Sequence, residues 1–261
     1  MTLSSLPSLS ISTLRTTALT LAAAAALTAC AGTDMQGMTQ AGSNLFQAAS
    51  LSDNDVRTLS QQSCAQSDAE NKIAPAKSTY TKRLAGIVPT LQASGIPIDA
   101  KVYMTPDINA WAMANGCVRV YSGLMDKMTD DEVRAVLGHE IGHVALGHSK
   151  NAMQVAYATQ AARGALAASG NGAVAALSSS QVGALSEAFV NAQFSQSQET
   201  AADDYSFDLL TRTKSNRRAL VTAFQKLAKL DGGKSAGLLS SHPGSQDRAD
   251  RVAAKLGNSP R

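Results

Sequence analysis

The chain has 261 residues, enough for one well-buried core. Its 23 Lys+Arg against 20 Asp+Glu leave a net charge of +3, and aromatic residues make up 4%. So slight a balance, with no long basic run, speaks against a nucleic-acid partner.

Residues 1–29 have the build of an export signal. Arg15 precedes the apolar run "ALTLAAAAALTAC", residues 18–30, which is too short to span a bilayer as a helix. It ends in Leu27-Thr28-Ala29-Cys30, which resembles a bacterial lipobox, with Cys30 lipidated to become the new N-terminus. The alternative is an ordinary signal peptide with a chance Cys. Ala31, not Asp, follows Cys30; by resemblance to lipoprotein sorting in Gram-negative bacteria this implies the periplasmic face of the outer membrane. Residues 30–48 are expected to be the lipidated Cys and a flexible tether, and residues 49–261 one catalytic domain. Export places Cys64 and Cys117 in an oxidising compartment, where an even pair reads as one disulfide; the alternative is two buried thiols.

Next in the chain, Ser52 can cap a helix over residues 52–71, and a second helix is expected over 79–93 before Gly95 and Pro97 break it. "KVYMT", "AWAMAN" and "CVRVYSG" are short and rich in Val, Tyr and Trp, and Asn115-Gly116 between the last two is a hairpin signal. They predict a small antiparallel sheet. Thr129 and Glu132 form a capping box, from which a helix is expected to run through His148. The Gly-, Ala- and Ser-rich stretch 163–185 reads as a mobile lid or a loose helical connection. Helices are then expected over 186–212, 216–230 and 246–256, with a loop at 240–243.

Three of the four histidines fall in "GHEIGHVALGHSK", residues 138–150. On a helix, four residues put His139 and His143 about 40° apart on one face, so both can reach one ion. With Glu140 between them this is His-Glu-x-x-His, a zinc-binding pair with a general base. Gly138 and Gly142 would let another element approach the helix closely. On a continuous helix His148 lies about 180° from His139 and cannot share the ion; it reads as a surface or last-turn His that favours the helix dipole.

A hydrolytic zinc site has three protein ligands and an open position. A third His six residues after the second would give one known arrangement, but Ser149 stands there. Glu199, in "SQSQETAADD", is therefore the candidate third ligand. Asp203, one turn later, is the carboxylate that would hold the other nitrogen of a ligating His. A solvated acidic helix face is the alternative.

The order of "NAWAMANGCVRVYSGLM", "LGHEIGHVALGHS", "FSQSQETAAD" and "SSHPGSQDR" resembles the zinc metallopeptidases that include HtpX, the CAAX prenyl proteases and BepA. The resemblance covers about residues 50–256 and implies an α+β, mainly helical, zincin-like (gluzincin) domain with a small antiparallel sheet beside the active-site helix. One departure is Thr200-Ala201, where relatives often carry a more acidic run. By the same resemblance Asn109, Ala110, Trp111 and Ala112 form an edge strand that could add an extended peptide as a further strand. It also brings His242 and Arg248 to the cleft. Either could steady an oxyanion; Arg248 could instead pair with a nearby Asp. His242 could occupy zinc's fourth position and keep the enzyme latent, or merely pack under the last helix.

The implied activity is zinc-dependent endopeptide hydrolysis with one Zn2+ per chain and Glu140 as general base. The implied substrates are unfolded or misassembled envelope proteins, with envelope chaperones or proteases as possible partners. Two other readings compete: a chaperone-like zinc lipoprotein with little proteolysis, and a structural lipoprotein with a chance motif.

Overall fold

A computed structural model describes residues 51–163, 177–230, 238–242 and 244–257. The signal segment, Cys30, the tether and residues 164–176 lie outside the described residues.

Helix α1 (Asp53–Glu70) starts at a capping box in which Ser52 and Asp55 satisfy each other's backbone N–H groups. Helix α2 (Thr79–Gln92) is capped by Ser78. Three strands follow: β1 (Asp99–Tyr103), β2 (Ala110–Ala112) and β3 (Cys117–Tyr121), in the order β1-β3-β2. The Asn115-Gly116 turn joins β2 and β3 as an antiparallel hairpin, with Trp111 opposite Arg119. The expectation of an all-antiparallel sheet needs correction: β1 pairs with β3 in parallel, Asp99 opposite Cys117. The chain leaves β1 and crosses before forming the hairpin, so β3 takes the centre and β2 the far edge, antiparallel to its one neighbour, β3.

Helix α3 (Ser122–Lys127) leads into α4 (Asp130–Ala145), where Thr129 and Glu132 make the expected capping box. The helix does not continue through His148. Leu146 caps it, Gly147 takes φ 76°, and a new helix α5 (His148–Ala162) begins. Glycine enters that left-handed region at little cost, as at many helix ends. The long helix expected over 186–212 is likewise two: α6 (Ser179–Val190) and α7 (Gln196–Arg212), each opened by its own Ser capping box. Helix α8 (Arg218–Leu230), the short α9 (Leu238–Ser241), which overlaps the start of the loop expected over 240–243, and α10 (Ser245–Gly257) complete the described chain.

The strands alternate sides, so the sheet separates two apolar clusters. Val118, Val120, Ala110 and Ala112 pack with Leu137 and Ile141 of α4, Leu220 and Phe224 of α8 and Val252 of α10. Tyr103, Trp111 and Cys117 face the other way, toward α1, α5 and α6. On that side Cys64 and Cys117 are joined in a disulfide across a separation of 53 residues, tying α1 to β3. No described helix is long and apolar enough to cross a membrane.

Candidate metal centre

Helices α4 and α7 meet where both lack bulk. A Cβ on Gly142 would sit 2.9 Å from the Ala202 carbonyl oxygen, and one on Gly138 2.8 Å from Ser206 Oγ. Ser206 Oγ donates to the Ala135 carbonyl (2.8 Å), closing the contact. This approach carries the first turn of α7 onto the His139–His143 face. Glu199 Oε1 comes to 3.3 Å of His143 Nε2, and Oε2 to 3.5 Å of His139 Nε2. The two histidine Nε2 atoms are 3.1 Å apart. Just past α9, His242 brings Nδ1 to 3.2 Å of His139 Nε2 and 2.8 Å of Glu199 Oε1. All four side chains are buried, and one donor atom from each lies within 4.8 Å of the others.

These spacings test whether a metal fits. Zinc ligated at about 2.0–2.1 Å in a tetrahedron separates its ligand atoms by roughly 3.3 Å. The separations of 2.8 to 3.5 Å cluster around that value. Three nitrogens and a carboxylate are also the donor set that zinc accepts. Burial lowers the His143 pKa to about 2, which leaves its imidazole neutral and able to ligate. Burial alone would raise Glu199; hydrogen bonds to His143 and His242 outweigh it and hold the carboxyl far below the usual range.

The surrounding shell has named partners. Asp203 Oδ1 lies 2.9 Å from His139 Nδ1, where it fixes the ring with Nε2 toward the other ligands. Burial opposes the charge on Asp203, yet His139 and Arg248 bring its pKa to about 2. Arg248 places Nη1 2.6 Å from Glu199 Oε2 and Nη2 2.6 Å from Asp203 Oδ1. The Glu199 contact is close but poorly aligned, since Oε2 has no hydrogen bond of good geometry among the described residues. The Arg248 guanidinium lies 4.1 Å over the Phe224 ring. Its terminal nitrogens thus hold the two carboxylates, which matches the ion-pairing alternative rather than an oxyanion donor.

Glu140, unlike Glu199 and Asp203, has no arginine within ion-pair distance among the described residues. Its Oε1 is buried without a hydrogen-bond partner among the described residues and lies 3.6 Å from His242 Nε2. Burial pushes its pKa up despite the nearby histidines. The cavity bounded by His139, Glu140, Phe224 and His242 is about 10 Å³. That is the room of one water and not of a peptide.

Residues Asn109 to Ala112 stand on the edge of the sheet beside α4. Ladder bonds from Met113 N–H to the Cys117 carbonyl and from Tyr121 N–H to the Asn109 carbonyl turn the backbone groups of Ala110 and Ala112 outward. Ser149 Oγ takes the Ala112 carbonyl (2.9 Å), Asn109 Oδ1 takes the Ala110 N–H (2.9 Å), and Leu238 N–H donates to the Ile108 carbonyl (3.2 Å). The segment carrying His242 is therefore docked at one end of this edge.

Two side chains at the centre were not picked out from sequence. Phe194 stacks on the His143 ring, 3.9 Å between centroids, and lies 5.2 Å from that of His242. Its signal was its place just ahead of the Ser195 cap. His148, expected on the far side of a continuous helix, instead sits with Nδ1 3.1 Å from His143 Nδ1, its pKa lowered by burial. It is outside the group of four that converge.

Against known proteins, residues 75–255 match the model of peptidase family M48. The chain is 51% identical over 235 residues to the metalloprotease LoiP of Escherichia coli K12, covering 89% of this chain and 93% of that one. It is 46% identical over 238 residues to the metalloprotease YcaL of the same organism, with the same coverage. The protease HtpX of Haemophilus ducreyi matches over a shorter stretch, 46% across 61 residues, or 22% of this chain and 21% of that one. A metal-ready His139, His143 and Glu199 cluster with Glu140 beside it, on a chain so matched over most of its length, belongs to a metallopeptidase of family M48.

Proposed function

We propose that this chain is a zinc endopeptidase of the Gram-negative envelope, tethered through lipidated Cys30 to the periplasmic face of the outer membrane. Its substrates are unfolded or misassembled envelope proteins. The observation that carries the catalytic reading is the convergence of buried His139, His143 and Glu199 donor atoms next to Glu140, whose Oε1 has no hydrogen bond among the described residues. The apolar N-terminal run ending in Cys30 and the Cys64–Cys117 disulfide support the compartment.

Bound at this site, zinc supplies a Lewis acid that acidifies water and polarises a carbonyl. Glu140 takes the proton of the attacking water through Oε1 and passes it to the leaving amine. Asp203 and Arg248 keep His139 and Glu199 in place. The outward edge of Ala110 and Ala112 holds the substrate backbone as an added strand, which tolerates many sequences and favours extended, unfolded chains. His242 stands at the fourth corner and marks a resting state; it must withdraw before a peptide can enter. A site closed in this way also suits the chaperone-like reading, in which binding outpaces cutting.

The test is cleavage of unfolded casein by the purified mature protein, with and without chelator, beside Glu140→Gln. Zinc-restored cleavage that Glu140→Gln lacks supports peptidase action; tight casein binding with no cleavage at any zinc level favours the chaperone reading. N-terminal profiling of envelope proteins with wild-type and Glu140→Gln would name the substrates. Labelling of Cys30 by a fatty-acid analogue would establish the anchor.

A further inference from the structure

We infer that His148 is a positioning residue for the metal: it accepts the Nδ1–H of His143 and fixes that ligand's tautomer and ring angle. The inference rests on the zinc reading above.

The two ligating histidines of α4 both turn Nε2 inward. A ring that ligates through Nε2 carries its proton on Nδ1 and needs an acceptor there. For His139 the acceptor is Asp203 Oδ1 at 2.9 Å. For His143, the atom at that position is His148 Nδ1 at 3.1 Å. Two imidazole nitrogens at that distance form a hydrogen bond only if one carries the proton. His143 must be the donor, so His148 is neutral with its lone pair on Nδ1 and its own proton on Nε2.

The backbone is built for this contact. On an unbroken helix a residue five positions on would turn about 140° away from His143. Gly147, at φ 76°, ends α4 and starts α5 at His148, which folds the side chain back against the ring one turn earlier. Phe194 covers one face of His143 and lies 6.5 Å from the His148 ring. His143 is thus held at its edge by His148 and on its face by Phe194. The ligands consequently have unlike supports: a carboxylate behind His139 and a neutral ring behind His143.

His148→Asn and His148→Leu separate positioning from packing. Asn retains an acceptor on the atom equivalent to Nδ1; Leu retains bulk without one. Zinc affinity is read by competition with a chromophoric chelator, and ligand geometry by the visible spectrum of the cobalt-substituted protein. Loss of an outer partner typically weakens metal binding roughly 10–100-fold. His148→Leu should weaken zinc by that factor and alter the cobalt spectrum, while His148→Asn should stay within about threefold of wild type. Equal affinities for all three proteins, or equal losses in both variants, overturn the inference. Should either variant fail to fold, nitrogen-15 histidine spectra of the zinc-loaded wild type decide it. His148 Nδ1 resonating as an unprotonated acceptor, coupled across the hydrogen bond to His143 Nδ1, supports the inference; a protonated His148 Nδ1 overturns it. Absence of zinc binding by the wild type would instead sink the zinc reading itself.

Discussion

Two clusters of charge lie on opposite faces of the small sheet, and they are built to different ends. On the α1 face Asp68 accepts from Arg119 Nε (2.7 Å) and Nη2 (2.9 Å), from Lys101 Nζ (2.6 Å) and from the Tyr103 hydroxyl (2.8 Å). Arg119, fully buried, gives Nη1 to the carbonyls of Asp99 and Val118. Donors and acceptors there satisfy one another. On the α4 face, Glu140 keeps an oxygen with no hydrogen bond, while four donor atoms converge on one point. A closed network holds parts of a fold together; a network with convergent lone pairs and a base oxygen free of hydrogen bonds suits metal binding and proton transfer.

The comparison can be broken by removing one carboxylate from each side. Glu140→Gln should cut peptide hydrolysis by on the order of 10²–10⁴ while zinc content and melting temperature hold or rise, because a buried carboxylate whose Oε1 makes no hydrogen bond is lost. Activity assays beside calorimetry check this, and a melting temperature that falls with activity would refute it. Reducing Cys64–Cys117, on the opposite face, should cost about 4 kcal/mol of stability for a loop of that length. Denaturant midpoints with and without reductant measure it, and two free thiols in the unreduced denatured protein would contradict the bridge.

Asp68→Asn should leave the site's chemistry intact yet cost about 1–3 kcal/mol, since buried Arg119 would keep only the exposed Asp99 carboxylate as an anionic partner. Unchanged urea midpoints would mean the network contributes no net stability. Proton linkage sharpens the same point. Burial opposes the Asp68 charge, but Arg119, Lys101 and Tyr103 lower its folded pKa from 3.8 to about 2. A depressed carboxylate stabilises the fold above its unfolded pKa, so this contribution is complete above about pH 5 and fades as pH falls from about 4 through 2. Urea titrations from pH 6 to pH 2 should show wild type and Asp68→Asn converging at the acid end; curves that stay parallel would exclude the linkage. The smallest effect is expected at His242. His242→Ala should raise basal casein cleavage a few-fold; unchanged or reduced cleavage would overturn the resting-state reading.

Much of this was legible along the chain because it depends on near neighbours. Ser52 with Asp55 and Thr129 with Glu132 announce helix starts within one turn. Asn115-Gly116 sets a hairpin, and the spacing of His139 and His143 needs only the pitch of the helix they share. The candidate third ligand, Glu199, followed from the chemistry of zinc and the place of Asp203 beside it. The helix break at Gly147 was also readable, as a glycine just past a helix end, and the periodicity that continued through it masked the signal. The break over residues 191–195 was hidden in the same way, with Ser195 standing as an unread cap.

Other features were decided only when distant segments met. The direction of β1 beside β3 depends on where the crossing chain delivers β2, which no strand composition encodes. That Glu199 meets the His139–His143 face follows from helices packing through Gly138 and Gly142, and that Phe194 covers the His143 ring and His242 reaches the fourth corner from a hundred residues away depends on how those distant segments dock. Local rules act over one or two turns of backbone, whereas a metal centre is assembled by side chains whose separations are set by the packing of whole elements.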